Sequence, residues 1–503
     1  MSDSVHAKMA RGAVWMVLFK FVERGLGLIS TLILARLLTP ADFGVVAMAV
    51  AFISMAELLG AFGFDVAIIH NQRATEAEYN SAWTCNLLLG ACITLIMVAA
   101  AVPISHFYRH PELVAVVLAL SLGPLIASAQ NIGVVAFRKE LDFRREFRFQ
   151  VGRKFAGFLL VVPLAFILRN YWALVAGMLF SQLAGTTLSY LMHPYRPRPT
   201  LSKFRQLFHF SRWMLLNNVV LFARDRSSDF FLGRLGGASD LGSYNVAYEL
   251  ANLPTSEISA PINRALLPGF AKMQSNESVA QAYRGAVQLL AMLALPASAL
   301  LFGLAPYLVV LLLGPKWTSA IPVMKILAFN GALMLFHSSI SSILFGRGFP
   351  ARVMLTNAGH VLLLVGSMTV ALVVLEGGPR GAAFAALGTA LLSTPIYIYQ
   401  LRQCLGISPR LFFGAIARPL MGCVAAIVAL EFLMPEFDLA MGALQMVGLL
   451  AFGLLTGFAV LLAVIGGAWH LAGRPAGAER IVIDWIRGQW SRHNASRLSS
   501  ADS

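Results

Sequence analysis

The sequence predicts an all-α polytopic membrane protein of about fourteen transmembrane helices, and three observations carry that prediction. Of its 503 residues, 58% are hydrophobic and only 13% charged, where an average soluble domain carries about 25% charge. Fourteen apolar runs are each long enough for the roughly 20 helical residues that cross a bilayer. A short motif recurs 198 residues further on, as two six-helix halves of one topology would make it, and two more spans follow.

The runs fall near 13–37, 44–69, 82–104, 113–137, 150–168 and 171–192. A second set lies near 211–235, 241–270, 286–313, 321–345, 353–375 and 382–401, and the last two near 412–434 and 441–470. The fifth is interrupted in its first turn by Arg153 and Lys154, which would have to snorkel. The basic start runs straight into the first apolar segment, which continues past the length of a signal-peptide core and is expected to be retained.

The repeated motif is Arg36-Leu-Leu-Thr-Pro-Ala-Asp42-Phe-Gly44 after the first span and Arg234-Leu-Gly-Gly-Ala-Ser-Asp240-Leu-Gly242 after the seventh. Because six is even, the halves are parallel repeats about an axis along the membrane normal. Locally the same residues read as a tight turn, Asp capping a helix with Gly behind it. The expected organisation is a six-helix bundle over 1–200, a second over 201–405, two accessory helices over 406–472, and a basic amphipathic tail over 473–503.

Cytoplasmic loops carry the excess of Lys and Arg. With the N-terminus inside, inner segments hold 27 of the 39 basic residues and outer loops six, with six more inside spans. Both termini are therefore expected in the cytoplasm, and much of the +15 net charge is explained without a nucleic acid. Trp15, Trp83, Trp172, Trp213, Trp317 and Trp469 fall near span ends, as interfacial belt residues do. Cys85, Cys92, Cys404 and Cys423 lie scattered in apolar runs without bridge or metal-ligand spacing and read as small core residues. The basic loop Phe137 to Lys154 suits anionic lipid headgroups. The tail, with Ile481, Val482, Trp485, Ile486 and Trp490 on one helix side, suits the inner leaflet surface or a partner enzyme.

Charge inside the spans is the unusual feature, since each charge at a bilayer centre costs roughly 2.5 to 3.5 kcal/mol even on mild insertion scales. The first span carries Lys20, Glu23 and Arg24, and the second Ser54, Glu57 and Asp65 on one face. The seventh carries Arg224, Asp225, Arg226 and Asp229. The eighth carries Glu249, Glu257 and Arg264 beside a stripe of Asn245, Asn252, Ser256, Ser259 and Asn263, with Pro254 and Pro261 expected to break it. The tenth carries Lys325, Asn330, His337 and a serine cluster. Such a broken, striped helix points to a transport pathway, and a buried network that only joins helices is the bland alternative.

Arg24, Arg264, Lys20, Arg224, Arg226 and Lys325 are the cations suited to an anionic substrate head, because Arg grips phosphate oxygens bidentately. Glu23, Glu57, Asp65, Asp225, Asp229, Glu249 and Glu257 are the candidate coupling or counter-charge groups, for H+ or Na+, with structural ion pairs as the alternative. His337, alone on an apolar helix, reads as a helix–helix hydrogen bond before a proton relay. No phosphate-binding loop, HExxH, CxxC or Ser/His/Asp arrangement is present, so no enzyme, resident metal or cofactor is expected.

Three stretches carry a family resemblance: ARLLTPADFGVVAMA from Ala35 to Ala49, FRKELDFRR from Phe137 to Arg145, and LGSYNVAYELANLPTSEISAPINRALLPGFAKMQ from Leu241 to Gln274. They resemble the Wzx-type polysaccharide flippases of the multidrug/oligosaccharidyl-lipid/polysaccharide exporter superfamily, in the branch of colanic acid and lipopolysaccharide exporters. The resemblance implies a MATE-like fold of two six-helix bundles around a V-shaped cavity, plus two accessory helices, in a bacterial inner membrane. It implies an undecaprenyl-diphosphate-linked oligosaccharide as substrate, flipped from the cytoplasmic to the periplasmic leaflet by alternating access. Partners would be that glycan, anionic lipids, and a polymerase or glycosyltransferases. A cation-coupled multidrug antiporter, a lipid II flippase and a scaffold for glycosyltransferases are the rivals. The excess of basic over acidic residues in the first span argues against the antiporter.

Overall fold

The computed structural model describes the chain from residue 2 to about 475, apart from most of 59–73 and Gln274; side chains at 2–11, Ala13, 205–217, 258–269 and 271–272 lie outside the described set. Asp65 and the amphipathic tail after Gly473 fall largely outside it. The described residues form helices and no strands.

In chain order these are α1 (Ser2–Leu37), α2 (Pro40–Glu57), α3 (Glu76–Tyr108), α4 (Leu113–Leu120), α5 (Leu122–Ser128), α6 (Val135–Lys139), α7 (Phe143–Leu168) and α8 (Trp172–Met192). There follow α9 (Phe204–Leu235), α10 (Gly237–Lys272), α11 (Asn276–Leu312), α12 (Ala320–Gly346), α13 (Pro350–Thr369), α14 (Gly378–Leu405), α15 (Pro409–Leu433) and α16 (Ala443–Leu471). Ten of them are long and apolar enough to cross a membrane, or eleven when the bent fourth span is counted. The remaining three expected spans, α1, α9 and α10, are helices of full length; α1 and α9 crowd three or more charges into their middle, and α10 carries its polar stripe. Large apolar side chains point outward, Leu444 at 87% and Phe432 at 85% exposure, which only a lipid surround makes favourable.

Three expectations about individual spans are corrected. The fourth is not one helix: Leu113–Ser128 and Ile132–Lys139 meet at 63°. Pro124 supplies no backbone donor, and Asn131 leaves the helix with ψ 113°, capping the next turn through Gly133 N–H. The fifth begins at Phe143, where the Asp142 carboxylate accepts from Arg145 N–H. Arg153 and Lys154 therefore sit mid-helix, and much of the expected Phe137–Lys154 loop is helical. The eighth runs unbroken through Pro254 and Pro261. Around Pro254 the side chains of Asn252, Thr255 and Ser256 donate to the carbonyls of Tyr248, Asn252 and Leu253.

The chain divides into two compact units. The first comprises Met1–Asn245, Leu312–Lys316 and Leu372–Pro379, and the second Val246–Leu311, Trp317–Ala371 and Arg380–Ser503. In the first unit α7 and α8 pack through small residues, a Cβ on Gly157 meeting Ser181 and one on Gly177 meeting Val161. α9 lies against α2 through Phe230 on Phe52, ring centroids 5.1 Å apart, and against α3 where a Cβ on Gly233 would meet the Tyr108 ring. The core of the second unit joins Tyr283, Val287 and Leu290 of α11 to Phe336 and Ile340 of α12, Tyr397 of α14 and Phe412 of α15.

The bend in the fourth span is clipped to the end of α8. Asn131 N–H donates to Ser189 Oγ at 2.9 Å, and its side-chain amide donates to the Tyr195 carbonyl at 2.7 Å. His193 Nδ1 accepts from Tyr195 N–H at 3.2 Å. Burial disfavours the charged ring; Arg145 and Arg196 add to this while Glu140 opposes it, and the net effect sets His193 below the ordinary histidine value. The stability it contributes is complete above about pH 6.5 and is lost as pH falls from there toward the folded value. His193→Gln is therefore expected to melt with a smaller drop than wild type between pH 7.5 and 5.5 in detergent; equal drops would contradict this.

Candidate functional site

The charges of the first unit gather in two places. In the first, Asp229 of α9 is 4% exposed. Its Oδ2 accepts from Arg226 Nη1 at 3.0 Å and its Oδ1 from Asn245 Nδ2 of α10 at 3.1 Å. Arg226 also acts electrostatically on Glu57 of α2, and the Asp229 charge reaches the buried Tyr108 hydroxyl of α3. Four helices thus share one polar knot. Arg224 and Asp225 stand apart from it, paired with each other at 2.9 Å, with Asp225 exposed.

The second place is built by α1, α7 and α8. Lys20 Nζ lies 2.8 Å from Glu23 Oε2, and Lys154 Nζ of α7 lies 3.7 Å from Glu23 Oε1. Glu23, Arg153 and Lys154 line a cavity of about 340 Å³ with Ser30, Gln182 and an apolar wall of Leu26, Phe158 and Val161. Arg153 lies with its aliphatic stem against Gly185. Arg24 follows Glu23 on α1, half-buried. Met178 and Gln182 of α8 line a second cavity of about 170 Å³ as well, whose polar end is Ser54 and Glu57 of α2. Lys20, Arg153 and Lys154, with Arg24 next along α1, outnumber the carboxylates that act on them, Glu23 and Glu146, a charge balance that suits phosphate oxygens.

The other sequence-predicted residues lie in the second unit. Asn252 is half-buried beside Gly331 of α12, Glu249 is half-buried, and Ser256 and Glu257 are exposed. Lys325 sits 5.1 Å over the Phe302 ring. Asn263 and Arg264 lie within α10, but their side chains fall outside the described residues, as does Asp65. Sequence reasoning missed Tyr108 and Gln182, and it gave Arg153 and Lys154 no site role. The signal for the last two was Asp142, a capping residue that moves the helix start one and a half turns or more upstream of residue 150.

An outward-apolar set of helices with paired charge and charge-lined cavities among them is a multi-pass membrane protein of the transporter class. The chain belongs to the polysaccharide biosynthesis protein family, whose model matches residues 33–322.

Among its relatives is the lipopolysaccharide biosynthesis protein WzxC of Escherichia coli K12, 25% identical over 429 residues, 83% of this chain and 85% of that one. The succinoglycan biosynthesis transport protein ExoT of Rhizobium meliloti is 26% identical, covering 69% and 71% of the two chains. The teichuronic acid biosynthesis protein TuaB of Bacillus subtilis is 25% identical, covering 69% and 70%. Among solved structures the fold is similar to the lipid II flippase MurJ in an inward closed conformation, with TM-score 0.73 and 11% identity over 91% of this chain and all of that one. It is also similar to an inward-facing MATE multidrug transporter, with TM-score 0.54 and 16% identity over 82% and 96%. The expected exporter-superfamily fold is borne out.

Proposed function

We propose that this protein flips an undecaprenyl-diphosphate-linked oligosaccharide, a repeat unit of O-antigen, capsule or exopolysaccharide, by alternating access. The movement runs from the cytoplasmic to the periplasmic leaflet of a bacterial inner membrane, with both termini in the cytoplasm. The observation that carries the reading is the cation excess on α1 and α7: Lys20 and Lys154 beside Glu23, Arg153 between Glu23 and Glu146, and Arg24 next along α1. Relatives named for lipopolysaccharide, succinoglycan and teichuronic acid biosynthesis support it.

In this reading Arg24, aided by Lys20, takes the diphosphate, because a guanidinium meets two phosphate oxygens at once. The hydroxyl-rich sugars occupy the wet part of the pathway and the polyprenyl chain stays in lipid. Glu23 partners the cations when no substrate is present, and an H+ or Na+ gradient supplies the work. The residues carry no catalytic step.

The test is surface polymer made by a deletion strain that expresses each variant. Arg24→Ala and Arg264→Ala should each lower export at least tenfold, about the loss of one 1.4 kcal/mol contact, and Arg24→Lys should retain a part. Normal export from both alanine variants at normal protein level would overturn the reading. The rival lipid II flippase predicts a lethal deletion. The rival multidrug antiporter predicts drug sensitivity with polymer intact.

A further inference from the structure

The cavity between α1, α7 and α8 is a groove whose chemistry changes in order along its length. At one end Lys154 meets Glu23 beside Arg153, and at the other Leu34 of α1 packs with Val161 of α7 and Leu174 of α8. Arg153 and Val161 are eight residues apart on α7, about 12 Å at the helical rise. Ser30 stands between Glu23 and Leu34 on α1. Gln182 stands between Leu174 and Gly185 on α8, and Gly185 is the residue against which the Arg153 stem lies. The groove thus passes from charge, through a hydroxyl and an amide, to hydrocarbon. Gly27 and Met178 in its wall are exposed, so it is open along one side.

The guanidinium at the charged end has no bonded anion. Among the described residues the Arg153 side chain makes no ion pair or hydrogen bond, and its Nε is buried without an acceptor. The two carboxylates whose fields reach it are bonded to other groups. Glu23 lies 2.8 Å from Lys20 and 3.7 Å from Lys154, and Glu146 accepts from Gln150 at 2.9 Å and lies 3.9 Å from Arg138. The side chains of Ser30 and Gln182 make no hydrogen bond among the described residues either. A guanidinium held this way in a membrane helix is costly until an anion completes it.

We infer that this groove binds one glycerophospholipid carrying a single negative charge. Its phosphodiester meets Arg153 with Lys154 beside it, its ester carbonyls accept from Gln182 and Ser30, and the start of an acyl chain lies along Leu34, Val161 and Leu174. The sequence phosphate, ester, hydrocarbon in such a lipid is the sequence of the groove. A polyprenyl diphosphate has no polar group between its phosphates and its hydrocarbon, so it would leave the amide and the hydroxyl unbonded. Glu23 keeps its two lysines, which leaves one guanidinium for one negative charge. Lys20 and Arg24, the residues assigned to the substrate diphosphate, do not line the groove. Lipid and substrate therefore have separate places.

The full-length protein, purified in mild detergent and stripped of lipid, is titrated with dioleoyl phosphatidylglycerol or dioleoyl phosphatidylcholine and read by native mass spectrometry. Wild type should take up one phosphatidylglycerol about tenfold more tightly than the net-neutral lipid, the difference of one charge-assisted contact. Arg153→Gln should lose that preference. Equal binding of the two lipids by wild type overturns the inference, whether or not any variant folds. Ser30→Ala/Gln182→Leu should weaken phosphatidylglycerol about threefold, and unchanged affinity in that folded double variant overturns the placement of the esters and with it the inference. Undecaprenyl diphosphate added to the loaded wild type separates the two occupants. Particles carrying both lipids support separate places, and one-for-one displacement of phosphatidylglycerol puts the polyprenyl diphosphate in the groove and overturns the inference.

Discussion

Gly242→Ala, and equally Gly44→Ala, will lower the melting temperature and the yield of monodisperse protein well beyond alanine at a glycine that touches nothing. A Cβ on Gly242 would collide with the Pro40 carbonyl oxygen on α2 and come within 3.0 Å of Gly44 N. One on Gly44 would collide with the Ala238 carbonyl oxygen on α10 and come within 2.8 Å of Ala238 Cα. Backbone cannot rotate away as a side chain can, so the first turns of α2 and α10 must part, at a cost of about 1–3 kcal/mol or more. Gly388→Ala on α14, with no neighbour within 4 Å, gains up to about 1 kcal/mol of helix propensity instead. The double Gly44→Ala/Gly242→Ala variant should cost less than the sum, because both methyls open one contact. Equal melting of Gly242→Ala and Gly388→Ala would refute the argument.

The second large effect belongs to Asp229. Asp229→Ala takes the carboxylate from Arg226, 35% exposed, and from the Asn245 amide, and should cost about 1–3 kcal/mol. Arg226→Ala strands a carboxylate that is 4% exposed and should cost more, toward the about 3–5 kcal/mol of a buried pair broken from one side. Removing both with Arg226→Leu/Asp229→Leu should restore most of the stability, since an apolar replacement removes the desolvation cost along with the attraction. The double variant should nevertheless export little polymer, because Glu57 loses its nearby cation. Thermal melting of the two singles and the double decides the energetic half: additive losses would show that the two residues are independent. Wild-type export from a stable double variant would reduce the knot to helix joining.

The repeat shows what a sequence can and cannot say. Asp42 and Gly44 read as a cap with glycine behind it, and the cap is there, Thr39 and Asp42 bonding each other's backbone. Asp42 also accepts from Tyr171 N–H at 2.9 Å, 129 residues away. Nothing local in either copy of the motif indicated that Gly44 and Gly242 abut the opposite copy. The bend in the fourth span was half-legible, since Pro124 and Asn131 stand in the sequence while the Ser189 hydroxyl that holds the turn lies 58 residues on. The prolines of α10 pointed to a break that did not occur: each removes one backbone donor, and the rest of the helical ladder carries the chain through both.

Composition, hydrophobic run length and the intramembrane charges determined the class of this protein by themselves: membrane helices, their order along the chain, and three among them too charged to face lipid. These are properties of local segments, and the cost of burying charge in hydrocarbon is large enough to be read from any one of them. Which charge meets which was decided only by the tertiary structure. Asp229 meets Asn245 of the next helix, Lys154 reaches back to Glu23, and His337 finds His360 and Thr394, because helix packing brings together side chains whose separation in the chain carries no information about their contact.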